Sequence, residues 1–538
     1  VSTKTPGFKK ERYVTLSHCW GDISIVRLVD ANMHRYMDPG IGISWESLSR
    51  TFQDAISVAR TLGVRYIWID SLCIVQCTHE GKGDFDVEGQ LMHMVYRHSF
   101  FNIAAADSSD GSGGLFRIRK AENALPATVH LEERWDMKGT WHVLPGNYWT
   151  EQLLDRALYK RGWVFQGRCM FIHYPPVRGR KLTAITERML APRLLHFSAT
   201  QVLWDCPTLS ACEALYEGIP QPLDTVPAME RHWRERLLKT REDSSKSSFS
   251  KARSGSADDS LEDFWARSVL NYTRCSLRLY DKDRLLAIWG VAKLVRDGLR
   301  EEEQAQREDP AFMEEEYAAG LWRKNLHNQL SWRVVNPGEA SRPENLKHHP
   351  SWSWASTIAE IELQPELAGE LWFCVRDHQG RDISAEVVGS AVTGKLDTQP
   401  ELADGKGAIA IRGPPVEGIC TSGGEIRTTQ AGPLLADNAE KFRFYLDVSP
   451  DRVVSGGSTC FLLVTLAHAT DREMSKVDAE DSQVAAVLTG AGLVLFPSDD
   501  GGRSNQYKRA GAFQFDTVDT KDMAWLFDES LLRDIWLC

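Results

Sequence analysis

The sequence predicts an α/β fold for its N-terminal part, built on a parallel sheet, followed by a mainly helical region and a β-rich C-terminal region. Three observations carry this reading. Strand and helix signals alternate over the first 106 residues. From about residue 187 helical patterns dominate, and after "HHPSWSWAS" the chain turns to short apolar runs such as "GAIAIRG", "FRFYLDV" and "CFLLVTLA", separated by Gly, Pro and Asp.

The elements follow in order. "YVTLSHCW" is an apolar run that suits a buried strand. A helix follows in "SWESLSRTFQDAISVARTLGV", where Phe52, Ala55, Ile56, Ala59 and Leu62 form one apolar stripe and Gly63 is a C-terminal stop. "VRYIWIDSLCIVQ" reads as a second buried strand. "DFDVEGQLMHMVYRHS" reads as a helix with Asp84 and Asp86 at its positive end and a buried stripe of Val87, Leu91, Met94, Val95 and His98. "FFNIAAADSSDGSGGLF" is a third strand running into a glycine-rich loop. Ligands of such sheets bind at the carboxyl ends of the strands, so residues 17–22, 70–76 and 107–114 are expected to converge.

Composition narrows the function. A 538-residue chain implies several domains, and 42% hydrophobic with 25% charged residues is ordinary for a globular protein. The net charge of −11, with no Lys/Arg stripe interleaved with aromatics, argues against nucleic acid as a partner. Eleven scattered cysteines and no apolar leader read as reduced thiols in an intracellular, cytoplasmic protein, and no run is long enough for a membrane span. The chain opens on Val, which reads as a native start lying upstream.

Four ordered motifs, "LSHCWGD", "IWIDSLCIVQ", "DFDVEGQLMHMVY" and "IAAADSSDGSGGLF", resemble the fungal heterokaryon incompatibility (HET) domain. Later segments, "RGWVFQ", "ERMLAPRLLHFSATQVLWDC", "YDKDRLLAIWGVA", "YAAGLWRKNL" and "PSWSWAS", look like those that follow this domain in many fungal HET proteins. The expected organisation is a HET domain over 1–166, an atypical insertion over 167–186, a mainly helical region over 187–335 with a Ser-rich linker at 241–260, and a β-rich region over 336–538. In the family the counterpart of "RGWVFQ" runs directly into that of "ERMLAPR", whereas here Gly167–Thr186 intervenes. An unspliced intron read in frame accounts for that segment.

The resemblance also implies a flavodoxin/TIR-like fold, a role in programmed cell death and allorecognition, and self-association on activation with an unknown protein partner or cue. TIR-type members cleave NAD, as substrate and not cofactor, at the nicotinamide–ribose bond with a helix-borne glutamate. The analogous residue is Glu88, and the rim residues are Ser17, Trp20, Gly21, Asp22, Asp70 and Ser71. The sequence departs from the family at Phe85, where Trp is more usual, and at Gly89.

Plainer readings stand beside these. Glu88 suits a first-turn carboxylate favouring the helix dipole, the rim residues suit a packed strand end with a turn, and "DSSDGSGG" suits a surface turn as well as a phosphate cradle. Strand geometry sends His18 and Cys19 to opposite faces, against a thiol–imidazole pair. Cys19, Cys73, Cys77 and His79 lack the second tight pair of a zinc site, so no metal is expected. Arg161, Trp163 and Gln166 are read as docking the helical part onto the sheet. Transcript sequencing across the Gln166–Glu187 junction checks the intron reading: messages lacking the segment support it, and abundant messages retaining it overturn it.

Overall fold

Alternation along β1 (Tyr13–Ser17) gives the N-terminal sheet two unlike faces. Val14 and Leu16 point to one side, and Tyr13, Thr15 and Ser17 to the other. β1 pairs in parallel with β2 (Tyr66–Trp68) and with β3 (Phe101–Ala104). After a separate antiparallel hairpin of β4 (Ala127–Leu131) and β5 (Gly139–Val143), the sheet is extended by β6 (Leu194–Phe197), parallel to β3, and then by β7 (Val202–Asp205) and β8 (Ser210–Cys212), both antiparallel. The order β2-β1-β3-β6-β7-β8 puts a topological switch point between β1 and β3. Three of these strands lie in the segment whose sequence reads as mainly helical.

The computed structural model describes residues 11–21, 23–76, 84–120, 122, 124–131, 139–160, 190–221, 223–224, 231, 233–234, 261–275, 277, 280–304, 317–322, 326–347, 349–363, 386–390, 409–421, 426–428, 439–448, 458–471, 486–498 and 505–538. The insertion at 167–186, the linker at 241–260, and Arg161, Trp163 and Gln166 lie outside them. The chain divides into two compact units, Val1–Ser254 with Arg274–Arg278 and Leu286–Gly298, and Gly255–Thr273 with Leu279–Leu285 and Leu299–Cys538.

Helices cover both faces of the first sheet. Besides α1 (Asp30–Met37), which buries no side chain, α2 (Arg50–Thr61) starts where the Ser49 side chain accepts from the Phe52 N–H and stops at Gly63, whose φ of +71 favours glycine. It buries Phe52, Ala55, Val58 and Ala59 against Val14, Leu16, Phe101 and Ile103. Leu62, expected in that stripe, is 52% exposed because the helix ends at Thr61 and the capping turn carries it off the face. The other face is packed by Tyr148, Trp149, Leu153, Leu154, Leu158 and Tyr159 against Cys19, Ala104 and Ala106.

The predicted second strand is cut short. Asp70 opens a helical turn, α3 (Asp70–Cys73), after β2. The fourth helix, α4 (Phe85–Arg97), forms where the sequence predicts it, but its orientation is the reverse of the prediction. Val87, Leu91 and Met94 are 62%, 44% and 41% exposed, His98 is exposed and Val95 half-buried, while Gly89, His93 and Tyr96 are buried. Periodicity reveals a stripe without saying which way it faces. Here the Tyr13 hydroxyl donates to the Val95 carbonyl at 2.7 Å and the Trp68 ring meets Tyr96 edge-on, which turns the small residue Gly89 and the polar His93 inward.

The second unit holds helices over Leu261–Thr273 and Tyr280–Leu286 and a nine-stranded, almost wholly antiparallel sheet among the described residues. Its long central strands are Ser458–Asp471, Ala486–Pro497 and Gln506–Asp519, with Phe513, Phe515, Leu462 and Val494 in the core. This agrees with the β-rich C-terminal reading. Three of its sequence motifs meet at one point. Arg284 of "YDKDRLLAIWGVA" donates to the Thr357 carbonyl and lies over the Trp354 ring of "PSWSWAS", and the Trp354 indole donates to the Gly320 carbonyl of "YAAGLWRKNL" at 2.9 Å. A Cβ at Gly320 would stand 2.5 Å from that indole.

A second node is ionic. Fully buried Arg509 lies 3.5 Å over the Trp332 ring, donates to the Leu330 and Trp332 carbonyls, and pairs with buried Asp447 at 2.9 Å, which also receives Arg342 at 2.6 Å. Removing Asp447 strands the charge of Arg509 in the interior. Asp447→Leu should therefore cost about 3–5 kcal/mol in equilibrium unfolding of the second unit, and a loss below about 1 kcal/mol would contradict this account of the node.

Candidate functional site

The carboxyl ends of β1, β2 and β3 do converge. Trp20, just past β1, donates its indole N–H to Asp70 Oδ2 at 2.8 Å, which ties the first strand end to the second. Asp70 Oδ1 accepts the Ser71 N–H at 2.6 Å and faces His18 Nδ1 at 3.9 Å. Gly21 has φ +66, and a Cβ there would lie 2.3 Å from the Asp110 Cβ, so the loop after β3 is stacked directly on the turn after β1. Asp22 lies outside the described residues.

His18 and Cys19 diverge as strand geometry requires. The His18 ring packs edge-on to Phe52 of α2 with centroids 4.9 Å apart, whereas Cys19 is buried in the cluster on the opposite face. Cys77 and His79 are outside the described residues, and among the described residues no group of three or more His, Cys, Asp or Glu side chains could hold a metal ion.

Ser17 and Ser71 belong to the interior rather than to an open rim. Ser17 is 1% exposed, and its hydroxyl shares the buried Asn102 amide with Thr15: Thr15 Oγ1 donates to Asn102 Oδ1 at 2.8 Å and Asn102 Nδ2 donates to Ser17 Oγ at 2.9 Å. Ser71 is fully buried, and its hydroxyl has no hydrogen-bond partner among the described residues. Sequence reasoning missed Asn102. An amide in the middle of the apolar run "FFNIAAA" was the available signal, because a buried polar group needs a partner on the neighbouring strand.

The glycine-rich loop is tied to α2. The Gly111 carbonyl accepts from the Thr51 N–H and hydroxyl, both at 3.0 Å, the Gly114 N–H goes to Thr51 Oγ1 at 3.2 Å, and Asp54 Oδ2 takes the Leu115 N–H at 2.7 Å. Asp110 accepts the Ser112 N–H and hydroxyl, which hold its carboxyl below the usual carboxylate range and leave a negative charge on the loop. The Gly114 and Leu115 N–H groups are thus bound to α2, and the Ser112 N–H to Asp110.

Two contacts locate Glu88. Val95, near the C-terminal end of α4, is tied to Tyr13 at the start of β1, and Asp84 at the N-terminal end exchanges backbone and side-chain hydrogen bonds with Val75, beyond the end of β2. α4 therefore runs antiparallel to β1 on the face that carries Thr15 and Ser17. From Val95 back to Glu88 is about 10 Å of helix. From Tyr13 to Ser17 is about 13 Å of strand. Glu88, half-buried at the margin between the buried and exposed faces of α4, thus stands near the level of Ser17, at the carboxyl end of the sheet. Its N–H donates to the Asp84 carbonyl at 2.9 Å, and its carboxylate has no hydrogen-bond or ion-pair partner among the described residues.

Trp20, Gly21, Asp70, Asp84 and Glu88 are all half-buried at this end; Trp20 packs against the α2-side core and reaches Asp70, whereas Glu88 belongs to α4 on the other face.

The comparisons agree with the motifs. Residues 13–167 match the family model described as Heterokaryon incompatibility protein (HET), so the sheet-bearing N-terminal stretch is a HET domain. That supports a heterokaryon-incompatibility-type function. No curated protein and no solved structure matches the chain. Among the described residues no helix is long and apolar enough to cross a membrane.

Asn102→Leu would leave the buried hydroxyls of Thr15 and Ser17 unpaired and should cost about 2–4 kcal/mol. The triple change Thr15→Val, Ser17→Ala and Asn102→Leu should recover most of that in chemical denaturation. Equal losses in both variants would contradict the buried polar trio.

Proposed function

We propose that the HET domain is the effector of a cytoplasmic incompatibility or immune-type protein that triggers cell death by hydrolysing NAD at the nicotinamide–ribose bond, in a TIR-like site, on self-association. The remainder of the chain is the recognition or regulatory part. The observation that carries this reading is the position of Glu88, near the level of the carboxyl end of the sheet and beside the switch point.

The chemistry asks little of the protein. Nicotinamide is a good leaving group bound through a cationic ring nitrogen, so the C1′–N bond breaks towards an oxocarbenium-like ribose while the electron pair stays with nicotinamide. Water then adds at C1′ and loses a proton, giving ADP-ribose. Glu88 stabilises the developing positive charge and receives that proton, and Trp20 offers a flat wall to the nicotinamide ring. Asp70 holds Trp20 through the indole hydrogen bond, and Ser17 and Ser71 support the rim from within. The carboxylates at this end of the sheet suit the cationic end of NAD. The pyrophosphate must find donors other than the Gly114 and Leu115 N–H groups, which are spent on Thr51 and Asp54.

A second reading, a non-catalytic module that recruits a partner through the same domain, is favoured by the exposed apolar side of α4. Nicotinamide release by the assembled full chain separates the two. The enzyme reading expects turnover that falls by about 10²-fold or more in Glu88→Gln. No turnover by the assembled protein, or turnover unchanged in that variant, would sink it.

A further inference from the structure

The outward face of α4 is built to meet something. Val87, Leu91, Met94 and His98 follow one another at helical spacing and form a single stripe, and all four are exposed. The opposite side buries Gly89, His93 and Tyr96. A helix that keeps such an apolar stripe in water leaves it for another surface.

We infer that this stripe is the contact through which a second copy of the chain docks, with the two α4 helices antiparallel about a two-fold axis near Leu91 and Met94. The charges along α4 favour that occupant and that direction. Asp84 and Glu88 stand at its N-terminal end, and Arg97 in its last turn. Antiparallel pairing sets each copy's carboxylate end beside the other's basic end and opposes the two helix dipoles, whereas parallel pairing sets carboxylate on carboxylate. A two-fold contact is self-complementary, so one apolar stripe serves both copies. Leu91 meets Met94 of the other copy, and Val87 meets His98.

The contact is weak by construction. Three apolar side chains cover far less than the about 800 Å² per partner of a standard stable interface. The copies therefore separate when dilute and associate when concentrated, as a triggered assembly requires. Glu88 borders the stripe, so pairing of α4 also covers one side of the candidate site. This deepens the self-association part of the proposed function and does not depend on NAD hydrolysis.

Sedimentation velocity of the full chain over a range of concentrations tests it, with Leu91→Asp as the variant and Ile41→Asp, at another exposed apolar position, as the control. Wild type and control should associate, and Leu91→Asp should weaken association by about tenfold or more with an unchanged thermal melt. Direction is read by oxidising a mixture of Val87→Cys and His98→Cys chains, which should cross-link to each other in preference to linking like with like. Association that survives Leu91→Asp, or like-with-like cross-linking, overturns the α4 contact while leaving self-association standing. Wild type monomeric at every concentration overturns both.

Discussion

The strand β1 carries an apolar face and a polar face, and both must be satisfied inside the protein. Val14 and Leu16 require an apolar cover, which α2 supplies. Tyr13, Thr15 and Ser17 require hydrogen-bond partners, because a buried hydroxyl without one costs about 1–3 kcal/mol. Asn102 answers Thr15 and Ser17 from the next strand, and the Val95 carbonyl answers Tyr13 from α4. The position and direction of α4 follow from that demand, and with them the place of Glu88. The site is a consequence of how one five-residue strand pairs its polar side.

Much of this was legible in the sequence. The three parallel strands, α2 with its Gly63 stop, the convergence of the strand ends and the divergence of His18 and Cys19 all follow from period, turn chemistry and strand geometry. The rotation of α4 was not legible. Val87, Leu91 and Met94 satisfy the pattern of a buried stripe, and only tertiary contacts at Tyr13, Trp68 and Gly89 decide that they face outward. The extension of the sheet through residues 194–212 was hidden for a related reason, since strands of three or four residues carry too few alternations to stand out. The rim residues split similarly. Trp20, Gly21 and Asp70 form the junction expected of them, while Ser17 and Ser71 lie buried, a distinction that residue type alone does not make.

The second unit shows a different use of sequence motifs. "YDKDRLLAIWGVA", "YAAGLWRKNL" and "PSWSWAS" are far apart in the chain yet meet around Arg284, Trp354 and Gly320. Among the described residues Arg284 has no carboxylate beside it. Its guanidinium is held by carbonyls and rings, and burial pulls its pKa below the ordinary arginine value. These motifs act as packing determinants.

The central proposal is that Glu88 and the Trp20–Asp70 contact engage one ligand at the carboxyl end of the sheet. A structure of the assembled full chain with a non-hydrolysable NAD analogue tests it most directly. The account predicts the nicotinamide-side ribose within hydrogen-bond reach of the Glu88 carboxylate, with the ring against Trp20. An analogue bound elsewhere in the chain, or a Glu88 carboxylate separated from Trp20 and Asp70 by packed side chains, would contradict it.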